Sequence, residues 1–114
     1  MIPVGVVAGS IVSTGVPSAP VFSIDSTSGP IGDPEYQFVY NVSWTVPANN
    51  GSAITGYRVE RSNDNITWYL LETFNNVTTT ASYGYDVGVS DYKRVRAVNA
   101  IGIGAPSNAL NMGQ

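Results

Sequence analysis

Hydrophobic and polar positions alternate most regularly across residues 36–46. Tyr36, Phe38, Tyr40, Val42, Trp44 and Val46 are apolar, while Gln37, Asn41, Ser43 and Thr45 hold most of the positions between them. A period of two sends successive side chains to opposite faces, so this stretch predicts a strand with one buried face. Pro47 ends it, because proline has no N–H to give to a ladder. The turn at 49–52 leads into a strand over 54–62, with Tyr57 and Val59 on one face and Arg58 and Glu60 on the other. Asn63, Asp64 and Asn65 turn the chain into a strand over 67–74 that carries Trp68, Tyr69, Leu70 and Leu71. Asn75 and Asn76 precede a Thr- and Tyr-rich strand over 78–87. Residues 92–100 place Val95 and Ala97 on one face and Arg94 and Arg96 on the other, before a turn at 102–104 and a final segment at 105–112. Turn residues recur about every 8–12 positions, the spacing of an all-β sandwich. No apolar stripe of helical period runs its course.

The first residues follow a different rule. Residues 1–24 carry no charge, and the first basic residue is Arg58. Gly5, Gly9, Ser10, Ser13 and Gly15 interrupt the apolar series Ile2, Val4, Val6, Val7, Ile11 and Val12. A signal peptide would open on positive charge, and a membrane span needs about eighteen consecutive apolar residues. Neither is expected. Residues 1–16 read as an uncharged arm, 17–110 as the domain and 111–114 as a short tail. Ile2, Val4 and Val6 alternate, so the arm suits addition as a strand to the edge of another subunit. The alternatives are a free tail or a cover for the domain's own edge.

Composition narrows the chemistry. The chain has 114 residues, enough for one domain with a core of its own. It has no cysteine, hence no disulfides or thiolate metal sites. It also has no histidine, the commonest general base, metal ligand and pH switch. Lys and Arg total 5 against 8 Asp and Glu, for a net charge of −3, which is no nucleic-acid footprint.

Several groups of residues, in order, resemble a fibronectin type III domain across about residues 17–108. Pro17-Ser18-Ala19-Pro20 resembles the proline-marked lead-in to the first strand, and Trp44 with Pro47 the core tryptophan and closing proline of the second. The run from Asn50 through Arg61 resembles the turn into the third strand. Arg94 to Ala100, with Gly102 and Pro106-Ser107-Asn108, resembles the sixth strand, its turn and the last strand. The resemblance implies a seven-stranded antiparallel, immunoglobulin-like sandwich. Trp44 is then expected to fill the core with Tyr57, Val59, Val95 and Ala97. Two departures stand out. The family's tyrosine before the sixth strand is replaced by Asp91, with Tyr92 one position too close to Ala97, so either Tyr92 takes the corner or it is built differently. The loop over 25–35 is longer than usual.

Candidate chemistry is sparse. Without histidine a serine nucleophile lacks its base. Lys93, the single lysine, reads as a solvated charge. The carboxylate pairs Asp33 with Glu35 and Asp86 with Asp91 lie in loop-like sequence, where turn formation and solvation outweigh catalysis or calcium binding. The Asn-x-Ser/Thr triplets at Asn41, Asn50, Asn65 and Asn76 read as by-products of turns and strands. Arg58, Glu60, Arg94, Arg96 and Tyr92 gather on one sheet face. That face is either a contact for an acidic or aromatic-stacked partner or a solvated ion-pair ladder.

The expectation is therefore a non-enzymatic structural or interaction protein with no cofactor, no nucleic-acid partner and no membrane insertion. Small sandwiches similar to this family occur on bacteriophage particles. A virion surface protein, for capsid decoration or as a tail accessory, made in host cytoplasm, is the leading expectation. Its partners would be capsid or tail subunits, or copies of itself, and the arm would anchor it. The alternative is an extracellular adhesion or carbohydrate-associated spacer of a bacterial or archaeal surface protein. Direct glycan binding through Trp68, Tyr69 and Tyr92 is a weaker third.

Overall fold

The computed structural model describes residues 14–28, 38–85 and 88–112. Eight strands lie within them: β1 (Phe22–Ser28), β2 (Phe38–Trp44), β3 (Ile54–Ser62), β4 (Tyr69–Asn75), β5 (Thr80–Tyr85), β6 (Tyr92–Asn99), β7 (Ile103–Pro106) and β8 (Leu110–Asn111). They form two antiparallel sheets, one ordered β1-β2-β5 and the other β4-β3-β6-β7, with β8 also paired to β6. The architecture is the expected all-β sandwich. Among the described residues no helix is long and apolar enough to cross a membrane.

Period-two alternation is what makes the two sheets meet. Tyr40, Val42 and Trp44 of β2 turn inward, and so do Tyr57 and Val59 of β3 and Val95 and Ala97 of β6. Phe22, Tyr83 and Met112 complete the buried cluster, with Phe74 packed against it. Trp44 sits at its centre, 6.3 Å from the Phe22 ring, 5.6 Å from Tyr57 and 5.5 Å from Phe74. These separations lie in the range of favourable aromatic pairs. The indole N–H finds no acceptor among the described residues.

Several boundaries move. β2 stops at Trp44, where Trp44 N donates to Thr79 O and Thr45 N to Val21 O, so Val46 lies beyond the strand and is exposed. The first strand runs on to Ser28 through a register shift between Ile24 and Ser26, which takes Asp25–Ser28 out of the expected long loop. The tail expected from 111 onward is shortened, because Asn111 pairs with Tyr92 and Met112 is fully buried.

The expected last strand is split. Pro106 has no N–H to give, and at Ser107 the chain switches to a close pairing with Val95: Ser107 N donates to Val95 O and Val95 N to Ser107 Oγ, both at 2.8 Å. Asn108 then reaches across to the other sheet. Its Oδ1 accepts from Phe22 N and its Nδ2 donates to Phe22 O, each at 2.9 Å, so a side chain acts as a short strand.

Candidate functional site

The outer face of the β4-β3-β6-β7 sheet brings together most of the charged residues singled out in the sequence. Arg58 lies opposite Arg96, and Glu60 opposite Arg94. Two guanidiniums facing each other across a ladder repel. The carboxylate between them resolves this: Glu60 Oε1 accepts from Arg94 Nε at 2.8 Å, and its Oε2 lies 3.4 Å from Arg58 and 3.8 Å from Arg96. Three of the chain's five basic residues thus surround one carboxylate, a local charge of 3 − 1 = +2 on a protein of net −3. The expectation that Glu60 stands out in solvent is corrected. Its side chain is only 7% exposed, covered by the arginine stems, whereas those of Arg58, Arg94 and Arg96 are 26%, 19% and 28% exposed.

Each group is held in place by its own element. Arg96 Nε donates to Gly104 O at 2.7 Å, where the β6–β7 pairing shifts register. Arg94 stacks on the indole of Trp68 at 4.2 Å. Trp68 is delivered there by the turn before β4. In that turn Ser62 Oγ accepts from the amides of Asp64 and Asn65, and Asp64 Oδ1 accepts from Ile66 and Thr67 at 2.8 Å. Asn65 takes the left-handed conformation that closes it, at φ 62°. The amides of Thr67 and then Ile66 hold the Asp64 carboxyl below the usual carboxylate range. Arg58 Nε is buried without a partner among the described residues.

Beside the arginines lies a depression that sequence reasoning missed. It measures about 260 Å³, is open to solvent and apolar, and is lined by Thr55, Gly56, Arg58, Thr73, Val98 and Ile103, with Tyr57 and Phe74. Gly56 makes it: a Cβ there would sit 2.6 Å from Phe74 O, so the strands approach only because the side chain is missing. A glycine inside a strand pattern was the available signal.

The remaining candidates separate. Tyr92 shares the outer face by strand parity, half-buried and outside the ion pairs. The glycan platform does not form as one open surface, since Arg94 covers one face of Trp68 while Tyr69 stands exposed on the edge strand. Lys93 is not a solvated charge. It is buried, 2.8 Å from Asp91 and 5.0 Å over the Tyr83 ring. Burial, and then the Glu72 carboxylate, push the Tyr83 phenol well above its ordinary range. Asp91, at the position of the family's tyrosine, ties its main chain to the C-terminal segment: its N–H donates to Asn111 Oδ1 and its carbonyl accepts from Met112 N. Among the described residues no group of three or more acidic side chains could hold a metal ion. Ile2, Val4, Val6, Val7, Ile11 and Val12, like Asp33, Glu35 and Asp86, lie outside the described residues.

No protein-family model and no curated protein matches the chain. Solved structures do. The twitchin kinase region from C. elegans is 21% identical over 84% of this chain and 16% of that one, with a TM-score of 0.64. A β-1,2-glucanase from Parabacteroides distasonis is 22% identical over 92% of this chain and 14% of that one, TM-score 0.59. The sixth fibronectin type III domain of human fibronectin type III domain containing protein 3 is 21% identical over 91% of this chain and 87% of that one, TM-score 0.58. This chain therefore spans 16% and 14% of the first two, and neither a kinase nor a glucanase activity follows from the likeness. What the comparisons show is the fold, a fibronectin type III-like sandwich.

Proposed function

We propose that this protein is a non-enzymatic interaction module of a virion surface, as capsid decoration or tail accessory, held to its partner subunits by the arm with the sandwich facing outward. The observation that carries the reading is the docking of the chain just before the first strand. Gly15 N donates to Asn50 O, Val16 O accepts from Asn50 Nδ2, and Gly15 O accepts from Asn99 Nδ2. The attachment point of residues 1–13 is thereby fixed at one end of the sandwich, beside the turn at 49–52. An uncharged segment with alternating Ile2, Val4 and Val6, tethered at a rigid end, has the pattern that strand addition to a neighbour needs.

The test compares the full chain with a chain starting at Thr14 by sedimentation, alone and with isolated virus shells. The expected result is self-assembly or co-sedimentation for the full chain and a folded monomer for the shorter one. Identical folded monomers that ignore shells overturn the virion reading. They favour the second reading, an extracellular adhesion or carbohydrate-associated spacer of a bacterial or archaeal surface protein.

A further inference from the structure

We propose that the outer face of the β4-β3-β6-β7 sheet docks an extended peptide of a partner protein, one carrying an acidic side chain two positions from an aliphatic one. The register of the sheet sets this spacing. Gly56, Val98 and Ile103 stand in one cross-strand row, the floor and wall of the depression. Thr73, Arg58 and Arg96 stand in the next row. Adjacent rows on one face are two residues apart along the strand, about 6.5 Å, the same distance that separates same-face side chains of an extended ligand. An aliphatic side chain in the depression therefore puts a neighbouring carboxylate over Arg58 and Arg96.

Charge completes the match. Glu60 satisfies one guanidinium closely, Arg94 at 2.8 Å, and the other two at 3.4 and 3.8 Å. Arg58 and Arg96, opposed in register and each more than a quarter exposed, remain short of counter-charge among the described residues, and a second carboxylate supplies it. Planar guanidiniums favour the bidentate geometry that a carboxylate offers. A nucleic acid would meet a molecule of net −3. A sulfated glycan would satisfy the arginines and leave the apolar depression unused. The occupant with both features is a peptide.

The experiment titrates the full chain, labelled with 15N, with a blocked peptide holding one leucine and one aspartate two positions apart in a Ser/Thr background. Three comparison probes are the same peptide with asparagine for aspartate, with serine for leucine, and a sulfated disaccharide. The expected result is amide shifts at Gly56, Arg58, Arg96 and Val98. Either peptide change should weaken binding about tenfold, and so should raising salt from about 0.05 to about 0.5 M. No shifts at millimolar peptide, equal binding of the asparagine or serine peptide, or tighter binding of the disaccharide each overturn the proposal. Arg96→Gln is expected to abolish binding. Because that variant also removes a structural hydrogen bond, the unmodified protein and its peptide series are sufficient to decide. The residues the proposal names all lie in the sandwich, so a chain starting at Thr14 is expected to give the same result whatever its assembly state.

Discussion

At position 99 a single buried carboxamide joins three parts of the chain. Asn99 Nδ2 donates to Gly15 O at 2.8 Å, Asn49 O at 3.0 Å and Ser52 O at 3.3 Å, while Oδ1 accepts from Ile101 N and Gly102 N. The lead-in, the 49–52 turn and the β6–β7 hairpin all depend on it. Asn99→Ala removes all of these bonds from a buried side chain, and the expected loss is about 1–3 kcal/mol of stability, read from urea unfolding. An unchanged midpoint would show that water replaces the carboxamide freely. Lys93 illustrates the same dependence on a partner, since its ammonium is tolerated at the end of the sandwich only with Asp91 and the Tyr83 ring beside it.

Among the elements, β4 adds only Phe74 to the packing around the core, and the turn before it does the most for the candidate site. That turn hangs on the Asp64 carboxylate, whose pKa is lowered by the amides of Thr67 and Ile66 and by the Ser62 hydroxyl. A carboxylate lowered in the native state contributes stability above its unfolded value of about 3.9. The contribution is lost as the pH falls through the lowered native value. In an acid titration followed by NMR, the Ile66 and Thr67 amides are expected to shift together with an inflection below about 3.9, and Trp68 should then loosen from Arg94. An inflection above that value would sink this account. Gly56 works on the facing strand by omission, letting β3 and β4 close up beneath the depression.

For the whole molecule, docking of the described chain on the sandwich begins at Gly15, which sets the expected boundary between arm and domain at Thr14–Pro17. Pro17 is fully buried, its carbonyl accepting from Ala105 N and lying against Gly104, where a Cβ would collide with it. Removing residues 1–13 is expected to leave the thermal midpoint unchanged, whereas removing 1–17 should cost at least about 2 kcal/mol. Equal midpoints for the two truncations would place the boundary elsewhere. The sequence by itself determined the fold class, the extent of β3 at 54–62, the inward faces of β2, β3 and β6, and Trp44 as the centre of the core. Those follow from local alternation, because a period of two allows only one face to be buried. It also placed Arg58, Arg94 and Arg96 on a common face. It misread Glu60 and Lys93 as solvated, and it left open what Asn99 and Asn108 tie together and where the depression lies. Apart from Lys93, whose ion-pair partner Asp91 lies two residues away, these depend on partners far along the chain, 34 residues for Glu60 with Arg94 and 86 for Asn108 with Phe22. Strand pairing within one sheet brings Glu60 to Arg94, and the stacking of two sheets brings Asn108 to Phe22. A charged or amide side chain is buried where the fold supplies its counter-charge or hydrogen bonds, and no run of neighbouring residues records that.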